Sequence, residues 1–167
     1  MIYIFNRFCV KCGEVQLGSS NVAIRKAVPE DIPSCLGIEA SQGDNTFSGD
    51  DFRNSITEPN AIFLVAEQSR QVVGFILGYV VPTRRREAAI HSTMVEKQHE
   101  KKGIGSSLVL DFARLAFGQG VELVYAEVET GPDKFYEKCG FKTEARLRKE
   151  NFINGKYIDD LVMSIFL

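Results

Sequence analysis

Spacing of the apolar residues divides the chain into a series of short segments. Val22 to Ala27 (VAIRKA) reads as a strand, and PEDIPSCLGIEA opens with Pro29 and two acids, which is first-turn helix chemistry. SGDDFRNSIT predicts a second short helix. AIFLVAEQ is strand-like, and the turn SRQ leads into VVGFILGYVV. That run, Val72 to Val81, is almost wholly apolar, so it is expected to be a central strand buried on both faces. EAAIHSTMVE alternates, with Ile90 and Met94 on one face and His91, Thr93 and Val95 on the other. A helix is expected from about Gly103 to Phe117, with an apolar stripe of Ile104, Leu108, Phe112 and Leu115 and stop signals at Gly118 and Gly120. VELVYAEV is another strand. GPDKFYEKCG is a short helix, with Pro132 near its first turn and Gly140 past its end. FKTEARLRKE and YIDDLVMSIFL close the chain as two strands joined by a turn at Asn154-Gly155.

The order is strand, two helices, three strands, helix, strand, helix, two strands. Consecutive strands imply antiparallel meanders, and the strand–helix–strand unit implies a local parallel pair. The fold class is therefore mixed α+β: a mostly antiparallel twisted sheet of about six to seven strands, with helices on both faces. Residues 1–20 read as an N-terminal extension with room for one edge strand, and residues 21–167 as one domain.

Composition narrows the function. The 167 residues are 44% hydrophobic and 25% charged, as expected for a globular domain with a single core. A net charge of −2 argues against a strongly basic nucleic-acid binder. No apolar run approaches a membrane span. The start, MIYIFNRFCVKCGE, is broken by Asn6 and Arg7 and does not read as a signal peptide. Cys9 and Cys12 form a C-x-x-C, but neither a second cysteine pair nor His91 and His99 complete a zinc site. The four cysteines are read as reduced thiols, no metal is expected, and a reducing cytoplasm is the default location.

One stretch resists a purely structural reading. EKQHEKKGIGSSL sets Gly103 and Gly105 at the start of an amphipathic helix, although glycine is about 1 kcal/mol worse than alanine inside a helix. A strand that feeds a helix through a glycine turn leaves several backbone N–H groups unpaired, and these hold phosphate well. Lys101 and Lys102 add positive charge, and the hydroxyls of Ser106 and Ser107 lie in the first turn. There is no G-x-x-x-x-G-K-[ST] and no G-x-G-x-x-G, so a P-loop and a Rossmann fingerprint are excluded. A plain solvated turn with two lysines remains open on these residues alone.

In context, the sequence resembles the GNAT superfamily of acyl-CoA-dependent N-acyltransferases. MVEKQHEKKGIGSSLV is similar to that family's strand–turn–helix with its [QR]-x-x-G-x-[GA] turn. FYEKCGF, Phe135 to Phe141, is similar to its late helix and strand, and VAIRKAVPEDIPSCLGIE to its opening. The resemblance covers about Val22 to Leu167. It implies acetyl-CoA as cosubstrate, with backbone groups of Met94 and Val95 pairing with the pantetheine arm. It implies that the N–H groups of Lys101, Lys102, Gly103, Ile104, Gly105 and Ser106 cradle the pyrophosphate. It also implies that Tyr136 protonates the departing thiolate. The sequence departs from the family at Glu100, which stands at the [QR] position, at Glu129, where many members carry asparagine, and at Pro132, where a small residue is expected.

The implied activity is transfer of an acetyl group from acetyl-CoA to a primary amine, by direct attack in a ternary complex. The acceptor is an amine-bearing small molecule or a peptide. The alternative is a non-catalytic coenzyme-A-binding module. An imidazole suits removal of a proton from an amine, and His91, taken to share a strand face with Thr93 and Val95, is the first candidate base. Glu87 and Glu129 are alternatives acting through water. Cys139, three residues past Tyr136, is read as packing. The basic run Arg84 to Arg86 is read as a solvated loop rather than an acceptor or coenzyme contact. Pairing of two copies through the final strands is compatible with the pattern.

Overall fold

The structure is a computed structural model and describes residues 22–43, 46–129, 132–153 and 155–167. Seven strands form one sheet: β1 (Val22–Lys26), β2 (Ala61–Gln68), β3 (Gln71–Val81), β4 (Glu87–Val95), β5 (Leu123–Glu129), β6 (Lys142–Ile153) and β7 (Lys156–Phe166). Four α-helices accompany them: α1 (Ile32–Gln42), α2 (Gly49–Thr57), α3 (Ile104–Gly118) and α4 (Asp133–Lys138). The expected order of elements is the observed one. The strands lie side by side as β1-β2-β3-β4-β5-β7-β6. Every neighbouring pair is antiparallel except β4 and β5, which are joined through α3 and run parallel. The last strand inserts between β5 and β6, so the final hairpin docks by its second strand. The extension and its Cys9/Cys12 pair lie outside the described residues.

Both faces of the sheet are covered, which explains the continuous apolar runs. Along β2, Ile62, Leu64 and Ala66 pack into the layer that contains α3 and α4, while Phe63 and Val65 pack toward α1 and α2. On β3, Val73 through Gly78 are all buried, as expected of a central strand. The α1/α2 layer is built on aromatics: the Phe52 ring lies 5.3 Å from that of Phe63 and 5.4 Å, edge-on, from that of Phe75. Helix α2 starts where Ser48 and Asp51 cap each other, the Asp51 N–H donating to Ser48 Oγ and the Ser48 N–H to Asp51 Oδ2. The stripe of α3 differs from expectation at its end. Leu115 is exposed and the buried position is Ala116, because a 3.6-residue period carries the stripe from Phe112 to the fourth residue on, where only a small side chain is present. Among the described residues, no helix is long and apolar enough to cross a membrane.

Candidate active site

The parallel pair β4–β5 holds from Glu87↔Leu123 to Ile90↔Ala126 and then opens. The cause lies in β4. Its register with β3 jumps from Gly78↔Ile90 to Leu77↔Ser92, so His91 is an extra, bulged residue. A bulge bends its strand and sharpens the local twist. β4 therefore veers away while β5 stays paired to β7 as far as Glu129↔Asp160. A V-shaped opening follows, with unpaired main chain along one edge of β4.

The bulge also corrects the expected facing of β4. Thr93 and Val95 stand on the α3/α4 face with Ile90, whereas His91 turns to the α1/α2 face with Met94. There the exposed imidazole meets the Tyr79 ring edge-on, 5.1 Å between centroids. The Tyr79 hydroxyl in turn shares a 2.6 Å hydrogen bond with Ser55 Oγ. The main chain follows its own alternation. The Glu96 N–H donates to Val73 O at 2.8 Å, so the backbone groups of Met94 point into β3. Those of Thr93 and Val95 face the opening. Val95 O is already held by Gln42 Nε2 at 2.9 Å, which ties the end of α1 to the end of β4 and leaves the Val95 N–H toward the gap.

Beyond β4 the chain makes one short turn, Lys97–His99, and then starts α3. Gly103 lies at φ 85°, the left-handed region that favours glycine, immediately before the helix. The first bond back from the helix is the Ser107 N–H to Gly103 O at 3.0 Å, so among the described residues the N–H groups of Lys101 through Ser106 remain as open donors. Lys102 Nζ donates to Gln98 O at 2.8 Å, which folds its charge against the turn. Gly105 has a different reason. A Cβ there would stand 3.1 Å from the Phe135 ring, so its missing side chain seats α4 against the start of α3. Ile104 is buried, and Ser106 Oγ lies 3.7 Å from Cys139 Sγ.

Tyr136 closes the site. It is 6% exposed, its ring packed 5.0 Å from Phe135 and 5.3 Å from Phe141, and its hydroxyl donates to Thr93 Oγ1 at 3.4 Å. Burial pushes its phenol above the ordinary value; the Thr93 contact works the other way and Cys139 adds to the rise. A neutral O–H thus sits beside the opening across the physiological range. The sequence offered no sign of Thr93 as its partner, 43 residues away. Two other candidates fall elsewhere. Glu87 takes a hydrogen bond from Thr83 at the start of β4, roughly 13 Å of strand (four residues at about 3.3 Å) before His91. The run Arg84 to Arg86 lies at that same far end, with Arg86 paired to Glu122 at 2.7 Å. Among the described residues, no group of three His, Cys, Asp or Glu side chains could hold a metal ion.

A parallel pair that opens beyond a bulge, a strand–turn–helix with free amides and a buried tyrosine at the gap together form one arrangement, and it has a family. Residues 30–141 match the model of the Acetyltransferase (GNAT) family. The chain belongs to the GNAT family. It is an acyl-CoA-dependent acetyltransferase, and acetyl-CoA is the cosubstrate that this family uses. Solved structures agree on the fold. The ribosomal-protein-S18-alanine N-acetyltransferase from Escherichia coli superposes with a TM-score of 0.77 at 19% identity, over 87% of this chain and 93% of that one. A mutant of the spermidine N-acetyltransferase SpeG from Vibrio cholerae gives 0.75 at 19%, over 87% and 93%. Ard1 from Thermoplasma volcanium gives 0.73 at 27%, over 87% and 97%. No curated protein matches the chain by sequence.

The residues present suit a nucleotide thioester. Open amides at the head of α3 match a diphosphate, and a free strand edge suits an amide-bearing arm. The buried Tyr136 hydroxyl suits a sulfur leaving group.

Proposed function

We propose that this GNAT protein moves an acetyl group from acetyl-CoA to a primary amine by direct attack in a ternary complex. The observation that carries this reading is the position of Tyr136: a buried, neutral hydroxyl held by Thr93 on the inner side of the β4–β5 opening, one helix away from the open amides of α3. Acetyl-CoA supplies the activated acetyl group. The amides of Lys101 to Ser106 hold its diphosphate, and Thr93 and Val95 present main-chain groups to its arm. The Val95 N–H faces the gap and polarises the thioester carbonyl. The amine nitrogen bonds to the carbonyl carbon as the carbon–sulfur bond breaks. Tyr136 gives its proton to the sulfur, and His91 takes the proton that the nitrogen loses.

Acid and base stand on opposite faces of β4. That separation suits an acceptor entering from the α1/α2 side while the thiol leaves on the α4 side. Acceptors in this reading are amine-bearing small molecules or peptides, met in the reducing cytoplasm. The test is release of free thiol from acetyl-CoA across a panel of amines, for the parent and Tyr136→Phe. Turnover that collapses in the variant is expected. Tight coenzyme A binding with no turnover on any amine would instead make the chain a binding module.

A further inference from the structure

The main chain is gripped from two sides where β4 ends. The peptide that joins Val95 to Glu96 donates its N–H to Val73 O at 2.8 Å, on the β3 side. Its carbonyl, Val95 O, faces the opening and accepts from Gln42 Nε2 at 2.9 Å, a contact between residues 53 apart in the chain. Gln42 is the last residue of α1. It follows Ile38 by four residues, so the two lie on one face of the helix. Ile38 is 2% exposed and packs with Cys35 in the α1/α2 core, against which Met94 also rests. Directly after Gln42 the chain turns at Gly43, whose φ of 79° ends the helix. The Gln42 amide therefore projects from a helix end that its own core holds still.

Close packing does not do the same work at this place. Between α1 and the turn beyond β4 lies a cleft of about 300 Å3, lined by Gly37, Ile38, Ser41, Glu96, Lys97 and Gln98. Interdigitated side chains fix a strand end by contact, but a cleft leaves it free of such contacts on that side. The Gln42 bond is a direct tie at the edge of this cleft. Val95 is also the last residue of β4 in register with β3, opposite Gly74. Two residues later begins the turn Lys97–His99, which leads to the open amides of α3. The Val95–Glu96 peptide is thus the joint between the free edge of β4 and the amide-rich turn.

We infer that Gln42 is a positioning residue for the coenzyme: by holding the Val95 carbonyl it fixes the main chain of Val95, N–H included, in the arrangement that receives the pantetheine arm. This assignment rests on the proposed course of that arm along the open edge of β4. A carbonyl oxygen has two lone pairs, so the one that Gln42 takes leaves the other for an amide N–H of the arm. Main-chain groups ordered in advance bind at lower cost than a strand end that must be ordered on contact. The diphosphate belongs to the amides from Lys101 onward, so Gln42 acts on the arm and not on the nucleotide.

The test compares coenzyme A with ADP, which has the diphosphate but no arm. Binding of coenzyme A to the full chain is read by calorimetry, and ADP is read by competition against it. Gln42→Met keeps the length of the side chain and removes its donor, at an exposed helix end that leaves the core alone. Its affinity for coenzyme A is expected to fall about three- to tenfold, the worth of one neutral hydrogen bond, with ADP within about twofold of the parent and the melting temperature unchanged. Gln42→Lys keeps an N–H donor at the same place. It should hold the ratio of the two affinities near the parent's even though its charge strengthens both. Unchanged coenzyme A affinity in Gln42→Met overturns the assignment. So do equal losses for coenzyme A and ADP, which would show that Gln42 supports the turn as a whole. Thiol release from acetyl-CoA across the amine panel separates this result from the proposed transfer. Weakened coenzyme A binding in Gln42→Met, with no amine acetylated by the parent, keeps the positioning role and refutes the transfer. Equal binding by parent and variant, with amines acetylated, does the reverse. A parent that binds no coenzyme A refutes both.

Discussion

Replacing Tyr136 by phenylalanine removes one oxygen and leaves the ring. The ring is held by Phe135 and Phe141, with interplanar angles of 74° and 70°, and neither contact involves the hydroxyl. The one hydrogen bond lost is long, 3.4 Å to Thr93. The stability change should therefore stay within about 1 kcal/mol. Loss of a general acid is larger: about 10²- to 10⁴-fold in rate, or roughly 3 to 5 kcal/mol of barrier at about 1.4 kcal/mol per tenfold. The gap between the two figures separates catalysis from unfolding. The assay is thiol release under saturating amine, with kcat, the KM for acetyl-CoA and the melting temperature taken on the same preparations. We expect kcat to fall at least a hundredfold, with KM within a few fold and melting little changed. The pH profile adds a readout specific to the proton. Since burial raises the phenol, activity that depends on its O–H is intact below the ordinary tyrosine value and falls only at higher pH, and the variant loses that alkaline limb. A variant whose kcat stays within threefold of the parent refutes the role of Tyr136.

Gly103→Glu forces a side chain into φ 85° and sets a carboxylate at the open amides, so coenzyme A affinity should drop more than tenfold by calorimetry; unchanged binding removes the phosphate site. Cys35 is fully buried and its thiol is pushed up to about 12, chiefly by burial, so a thiol reagent at pH 8 should leave it unlabelled in the native protein and label it on unfolding in urea. Asp31 is buried, which opposes its charge, yet the Arg25 guanidinium at 2.7 Å and the Val28 amide hold its carboxyl below the usual range. Its contribution is therefore present above about pH 4, the ordinary aspartate value, and is lost as pH falls toward the lowered one, so the melting temperature of Asp31→Asn should converge on the parent's under acid.

Much of the fold is legible along the chain because its causes are local. The apolar run of Val72 to Val81, the 3.6-residue stripe that begins at Ile104 and the glycine at position 103 each report a neighbourhood of a few residues. The sheet class, the order of elements and the glycine-led start of α3 follow from such signals. The site is legible only in part. Tyr136 and the amides of α3 could be picked out by resemblance, but Thr93 and Gln42 carry no mark in the sequence that says what they meet. Strict alternation puts His91 on the wrong face for a specific reason: it fails by one residue at a bulge, and a single shift of register turns every later side chain over.

The division is physical. Backbone conformation at a glycine, a helix cap at Ser48 and Asp51, and the period of an amphipathic segment depend on atoms a few bonds away, so the amino-acid order by itself determines them. Which strand stands beside which, where β4 leaves β5, and which hydroxyl reaches Tyr136 depend on contacts between segments tens of residues apart. Those contacts are chosen by packing two layers of side chains onto one twisted sheet, and only the folded chain decides them.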